Sequence, residues 1–408
     1  MANPKKIALV GIGGFSKYHY DRIKELEKHG VVRLSSVLIR ASSVHRYQEM
    51  IRILDADGVQ VYNSFEAMLD GEKGRADIIS LPTEISEHCN MSIASLYAGY
   101  HVICEKPVAG TIEECKMMKE AQEKTNKVLA ICFQNIYSSS IQRLKRIALS
   151  GALGQLKSAK SYVLWQRATA YYSSWRGKLI YEGKIINDCP LMNATAHYLN
   201  NMLYIAGPSL HESAQPAFLY GENYRVKEIE SCDTQYLRVI TTTGVKLQFI
   251  TSHATDIRVD PHAEYYFEQG KILWTLLDGA VVYVKEGEKY VEQERFNNDT
   301  DNLFSLIYKS TCEAIDSGTN PLSVIQNSYQ HILCVNKSFE SGPIKVVPEE
   351  FIGSTHIFKD DDCLKAGDNN RYIKGIHSIV QKMMANDLSY YEAGCPWAVK
   401  SRDIEVKI

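Results

Sequence analysis

Three groups of residues in this 408-residue chain have types and spacings suited to chemistry. The sharpest is Glu105-Lys106-Pro107, which directly follows the apolar run His101-Val102-Ile103-Cys104. A buried strand that ends in an acid, a lysine and a proline puts an ammonium at the carboxyl end of a sheet, where open α/β sheets hold their ligands. A lysine there can donate to a substrate oxygen or shuttle its proton, and the proline stiffens the turn that aims it. Taken alone, the tripeptide also reads as a salt bridge in a surface loop. The second group is Gly11-Ile12-Gly13-Gly14-Phe15-Ser16, between an apolar run and an amphipathic stretch. Glycines there let the backbone turn tightly and approach a pyrophosphate, while a helix N-terminus offers amide donors and positive dipole. Ser16 stands where the strict fingerprint has a third glycine, and a tight turn without a ligand is the plainer alternative. The third group is Asn193, His197 and Asn200, which share one face if the stretch after Pro190 is helical. A satisfied core histidine is the alternative for His197.

The surrounding pattern supplies elements to hold these groups. Ile7–Val10, Leu34–Ile39, Val59–Tyr62, Asp77–Leu81, His101–Cys104 and Val128–Phe133 read as short buried strands. Helices are expected at Ser16–Glu27, at Ser86–Ala98, and from the capping-box pair Thr111 and Glu114 to Ala121. Alternation of this kind predicts a parallel sheet with helices on both faces, ending near Gln134. Beyond it, Leu156–Gln166 and much of Phe218–Tyr290 alternate in Val, Ile, Thr and Tyr, with a hairpin at Thr243-Gly244. That predicts an antiparallel sheet with hairpins. Helices are expected at Asn193–Ala206 and Asn302–Asp316, stopped by Gly207-Pro208 and Gly318. The expected organisation is a Rossmann dinucleotide-binding domain over 1–134, a second α/β domain over 135–352, and an extension over 353–408. The extension opens on the polar run Lys359-Asp360-Asp361-Asp362 and turns helical from Ile373 to Met384. Its apolar residues, Ile373, Ile376, Ile379 and Trp397 among them, predict that it docks on the body.

Composition narrows the classes. A formal net charge of −2 gives no footprint for a nucleic-acid partner. No apolar run is long enough to cross a membrane and no export leader opens the chain, so a cytoplasmic protein is expected. The ten cysteines are scattered, without Cys-x-x-Cys or zinc spacing, so neither disulfide nor metal is expected. After the second strand, where an acid would hold a free ribose 2′-hydroxyl, the chain has Ile39, Arg40, Ser42 and Ser43. A guanidinium and hydroxyls suit a 2′-phosphate, so NADP is expected ahead of NAD. Arg40 stacking on adenine or facing water is the alternative.

Gly11-x-Gly13-Gly14, Pro82-Thr83 with His88 downstream, and Glu105-Lys106-Pro107, in that order, resemble the glucose–fructose oxidoreductase / inositol dehydrogenase / MocA family. Gly151-Ala152-Leu153-Gly154, Trp175-Arg176 and the His197 segment extend the likeness from about Lys6 to about Ile352. The resemblance implies a Rossmann domain, an α/β substrate and oligomerisation domain over 135–352 with an open, mostly antiparallel sheet, and hydride transfer at a sugar or polyol carbon, with Lys106 catalytic and His197 beside it. It implies a cofactor held by Gly11, Gly13, Gly14, Phe15, Ser16, Arg40, Pro82, Thr83, His88, Glu105 and Lys106. It implies a sugar, polyol or sugar acid near Lys106, Trp175, Arg176, Asn193, His197 and Asn200, and homo-oligomers formed through the sheet. Tyr171, Tyr172 and Trp175 suit sugar faces and Arg176 suits a carboxylate or hydroxyls, with packing an equal alternative for each. The family places aspartates where this chain has Asn193 and Asn200, and asparagine cannot take a proton. The aspartate–histidine pairing is therefore absent or supplied elsewhere, as by Asp188. Two further functions stay open: a cofactor-binding regulator without chemistry, and a sugar-processing enzyme that oxidises its substrate transiently on tightly held NAD.

Overall fold

The computed structural model describes residues 3–299, 302–357, 359, 364 and 366–407. The chain divides into two compact units, one of residues 1–137 and 301–329, the other of 138–300 and 330–408.

The first unit is a six-stranded parallel sheet of order β3-β2-β1-β4-β5-β6. Its strands are β1 (Lys5–Val10), β2 (Val32–Leu38), β3 (Gln60–Tyr62), β4 (Ile78–Leu81), β5 (His101–Cys104) and β6 (Leu129–Ile131). They alternate with α1 (Phe15–Lys28), α2 (Gln48–Ala56), α3 (Phe65–Gly71), α4 (Ile85–Tyr97) and α5 (Ile112–Thr125). Ile7, Ala8 and Leu9, like Val102, Ile103 and Cys104, are fully buried, as strands covered on both faces must be. Thr111 caps α5 through the amide of Glu114, whose carboxylate returns to the Thr111 amide. The strand order reverses between β1 and β4, so their carboxyl ends open the crevice in which doubly wound sheets bind ligands.

The sequence boundary at 134 leaves out a piece of this unit. The helix Leu303–Ser317 belongs to it, with Ile307, Tyr308 and Cys312 in the same core as Ile7, Ile23 and Ile103. Its apolar face is satisfied against α1 and the sheet.

The second unit begins with α6 (Ser139–Ser150), whose carboxyl end turns through Gly151 at φ 70°. It continues with β7 (Leu156–Leu164), a small hairpin of β8 (Ile180–Tyr181) and β9 (Lys184–Ile185), and α7 (Ala196–Ile205). Then follow β10 (Pro216–Arg225), β11 (Thr234–Thr241), β12 (Lys246–Ser252), β13 (Val259–Phe267), β14 (Gly270–Thr275), β15 (Gly279–Glu286) and β16 (Lys289–Phe296). With β17 (Lys345–Val346) these form a sheet of order β16-β15-β14-β13-β7-β12-β11-β10-β17. It is mostly antiparallel, with parallel pairs where β7 meets β12 and β10 meets β17. The helix expected from Asn193 starts later, at Ala196, because the amide and hydroxyl of Thr195 both close on Pro190 O and hold residues 190–195 in turns.

The terminal extension packs within this second unit. Hairpin β18 (Ile352–His356) and β19 (Asn369–Ile373) leads to the helix Ile376–Asn386, which starts three residues after the expected Ile373 because Ile373 ends β19. Ile373, Ile376, Val380, Met383, Tyr390 and Trp397 share a core with Tyr224, Tyr236 and Ile250. Ile404–Glu405 then adds to the sheet beside β10. Asp360, Asp361 and Asp362 of the polar run lie outside the described residues.

Candidate active site

The glycine turn leaves β1 as an open cradle. Gly11 has φ +91°, and a Cβ there would meet Ser16 Oγ at 2.6 Å. Gly14 has φ 54° and ψ −129°, a conformation glycine takes freely, and a Cβ there would meet nothing within 4 Å. Gly13 lies under the Tyr47 hydroxyl, which a Cβ would strike. Ser16 is buried, and its hydroxyl donates to Pro82 O at 3.1 Å, tying the turn to the end of β4. This explains the serine in place of a third glycine: it is small, and its one polar atom is used. Neither a side-chain cap nor an acid sits at the start of α1, so its positive end is uncompensated. Phe15 is half exposed against Tyr18 and Phe304. Arg40 is exposed just beyond β2, and Ser42 and Ser43 follow it in a short 3-10 turn. The Thr83 hydroxyl is buried without a hydrogen-bond partner.

The Glu-Lys-Pro turn is held from beneath. Glu105 is buried, accepts the Lys106 amide at 3.0 Å and lies 3.0 Å from His19 Nε2. His19 Nδ1 lies 2.8 Å from the Tyr308 hydroxyl, which is 2.9 Å from Ser80 Oγ. Burial pushes the Tyr308 hydroxyl well up, so it stays neutral and donates. The chain then runs one way: Ser80 donates to Tyr308, Tyr308 to His19 Nδ1, and His19 Nε2–H to the Glu105 carboxylate. Burial alone would raise Glu105, but the His19 hydrogen bond and the neighbouring charges outweigh it and hold the carboxyl below its usual range. Cys132 lies close enough that its sulfur joins the His19 and Glu105 ligand atoms within 4.8 Å of one another. Both His19 nitrogens are engaged in hydrogen bonds, and burial pushes the Cys132 thiol well up, so the group is wired as a relay and not as a cation shell.

His88 has a different place from the one expected. It is buried, with Nδ1 2.7 Å from Pro107 O and Nε2 3.1 Å from Thr83 O. Burial lowers its pKa against the pull of the two carbonyls, so the ring is neutral and its one proton goes to the shorter contact, Pro107 O. His88 thus pins the turns after β4 and β5 together. Glu105 likewise faces inward, toward His19. The turn residues Gly11 to Ser16, Pro82, Thr83 and Lys106 share the carboxyl edge of the sheet. His19 and Tyr308 went unnoticed as functional residues. In the sequence His19 is one more residue on the buried face of α1 with Ile23 and Leu26, and nothing local marks Tyr308.

In the second unit, α7 carries His197, half buried, and Asn200, fully buried with both amide atoms unpartnered. Asn201 is buried in the same way. Asn193 precedes the helix, in the turns of residues 190–195, so of the three residues only His197 and Asn200 lie on α7 itself. Asp188 is buried and accepts the Gly177 amide at 2.5 Å, which fixes the segment carrying Trp175 and Arg176.

A 3-2-1-4-5-6 parallel sheet with this glycine turn defines a dinucleotide-binding Rossmann domain. Residues 5–133 match the GFO_IDH_MocA model, described as oxidoreductase family, NAD-binding Rossmann fold, the family that the motifs resemble. The chain is similar to D-glucoside 3-dehydrogenase of Escherichia coli, 28% identical over 36% of this chain and 40% of the relative. It is 29% identical to inositol 2-dehydrogenase of Salmonella typhimurium over 37% of this chain and 43% of the relative. These matches therefore span well under half of the relatives' length. The fold extends further: the WlbA dehydrogenase of Bordetella pertussis, solved with NADH and UDP-GlcNAcA, superposes with a TM-score of 0.67 at 20% identity. That likeness covers 83% of this chain and 97% of the other. Among the described residues no helix is long and apolar enough to cross a membrane, and nine cysteines are free thiols.

Proposed function

We propose that the chain is an NAD(P)-dependent oxidoreductase acting on a ring hydroxyl of a sugar, polyol or sugar acid. The observation that carries this reading is Lys106, set after β5 on a turn fixed from below by a buried carboxylate and level with an open glycine cradle. The buried, unpartnered Thr83 hydroxyl fits a dinucleotide as well, since it lacks only a ligand to complete it. When bound, the nicotinamide supplies the hydride acceptor or donor. Gly11, Gly13, Gly14, Phe15 and Ser16 bring backbone and the positive end of α1 to the pyrophosphate. Arg40, with Ser42 and Ser43, receives a 2′-phosphate, so NADP is preferred.

Lys106 handles the proton. In the oxidising direction its neutral amine takes the proton of the reacting hydroxyl, and in the reducing direction the ammonium returns it. His197, with no aspartate at the expected helical position, orients a substrate hydroxyl as a neutral hydrogen-bond partner. Trp175, Arg176, Asn193 and the unpartnered amide of Asn200 complete the substrate side. The relatives named for dehydrogenating a D-glucoside and inositol support a cyclic polyhydroxylated substrate. The free thiols suit a cytoplasmic protein, and the sheet suits assembly into dimers or tetramers. Lys106→Met should lower turnover by about two to four orders of magnitude, the range of a positioned acid–base group, with little change in cofactor affinity. The assay is nicotinamide absorbance across a panel of sugars, polyols and their acids. Near-normal turnover in the variant overturns the assignment.

A further inference from the structure

The segment after β7 carries two guanidinium groups on one aromatic ring. The Arg167 guanidinium lies 5.0 Å from the Tyr171 ring centre and 5.8 Å from that of Trp165. The Arg176 guanidinium lies 5.1 Å from the same Tyr171 ring and 4.9 Å from that of Trp175. Both side chains are half buried, and the two charges are held within about 10 Å of each other by their shared ring. Among the described residues neither makes an ion pair with a carboxylate; the Arg167 guanidinium donates to the backbone carbonyl of Gln166 at 2.8 Å and to the Tyr171 hydroxyl, both of them neutral acceptors. Half-buried guanidiniums ordinarily find an anion.

The nearby acids are engaged elsewhere. Asp188 accepts the Gly177 amide, and Asp233 accepts the amides of Val226 and Lys227 and the hydroxyl of Thr234. Lys227 is tied to the carbonyls of His253 and Arg371, so it is a fixed part of the wall. His253 sits edge-on to Tyr171 with ring centres 5.7 Å apart, and its Nδ1 meets the Tyr172 hydroxyl at 3.0 Å. It is almost wholly buried, yet its Nε2 has no partner. Burial, with Arg167 and Lys227 nearby, keeps the ring neutral, and the Tyr172 hydroxyl, pushed up by its own burial, remains protonated and donates to Nδ1. Nε2 is then a second donor without an acceptor in the same neighbourhood. Guanidiniums held against aromatic rings lose little further freedom on binding, and each keeps N–H groups to offer a planar or tetrahedral oxyanion.

We propose that Arg167 and Arg176 form an oxyanion clamp on the substrate, so that the sugar or polyol this chain takes carries a carboxylate or a phosphoryl group. This rests on the reading of the second unit as the substrate-binding part, and it narrows that reading to anionic substrates. The test measures binding of D-glucose, D-glucuronate and D-glucose 6-phosphate by quenching of tryptophan fluorescence with NADP present, and follows nicotinamide absorbance in parallel. At least one of the anions should bind about tenfold or more tightly than D-glucose, the gain of a charge-assisted bidentate contact. The glucuronate and phosphate arms separate the two sources of the oxyanion. Arg167→Gln and Arg176→Gln should each bring the anion-to-neutral ratio toward one, with NADP affinity as the control for folding. Equal binding of neutral and anionic sugars overturns the clamp. So does the absence of any response to either anion at about 10 mM, where a millimolar site would be mostly filled, and so does an Arg→Gln loss shared equally by neutral and anionic ligands. Selective anion binding without any change in nicotinamide absorbance would leave the clamp standing and refute the dehydrogenase reading instead.

Discussion

Replacing His19 with leucine removes the imidazole donor to the Glu105 carboxylate, while leaving an apolar group of similar size in the core. Glu105 then keeps the Lys106 amide and the weak donor of the Cys132 thiol. Removing the donor from a buried hydrogen bond to a charged group costs about 1–3 kcal/mol or more, most of it the penalty of the charge left behind. That loss must depend on pH, and the sign follows from the two states of Glu105. In the parent its carboxyl is held below the usual range, burial notwithstanding, so its contribution is present above the unfolded carboxyl range and is lost as pH falls through the lowered folded value. Without His19, burial dominates and the folded value moves above the unfolded one. The variant then loses stability as pH rises from the unfolded range to that higher value. Both changes widen the gap between parent and variant from about pH 4 to about pH 7, by about 1.4 kcal/mol for every tenfold change in proton affinity. Urea unfolding of both proteins at the two pH values measures it. Adding Glu105→Gln to the variant should remove the pH-dependent part, because no carboxyl remains to titrate. A destabilisation equal at both pH values would refute the claim that His19 keeps Glu105 charged.

Arg40→Ala should erase most of the preference for NADP over NAD, measured by calorimetry with each cofactor; tighter NAD binding by the parent would reject the role given to Arg40. Trp397→Ala should destabilise the protein by about 3–5 kcal/mol, read from denaturant midpoints, because its ring packs edge-on against Tyr224 and tilted against Tyr390 in the core of the second unit. An unchanged midpoint would mean that the extension adds nothing to that core.

Local signals carried the parts of the fold that obey local rules. The buried runs around Leu9, Ile79 and Ile103 and the capping box at Thr111 were legible because each is complete within a dozen residues. Ser16 read as a departure from the glycine fingerprint, yet its bond to Pro82 O depends on strand order and could not be seen. Asn193 was misplaced for a subtler reason. Its spacing to His197 is helical, but Thr195 closes on Pro190 and delays the helix by three residues. His88 and Glu105 were legible as motif members and not as inward-facing groups, since spacing alone does not show which way a side chain at a strand end turns. Arg167 passed unnoticed because its significance lies in sharing a ring with Arg176, nine positions on.

Tyr308 lies 289 residues from His19 and 228 from Ser80. At about 5–20 residues per second of synthesis, a growing chain waits on the order of 10–40 s between making the end of the first sheet and making the helix that completes it. Until then His19 has no hydroxyl to hold its Nδ1, and Ile307 and Cys312 are missing from the core built around β1. A nascent or prematurely terminated chain ending near residue 134 therefore has all six strands, the glycine turn and the His19 and Glu105 side chains, but not the Tyr308 hydroxyl that completes the chain beneath Lys106. Chaperones and proteases would meet this half-built sheet as a distinct species, and cofactor binding by such a fragment would not report on the finished site.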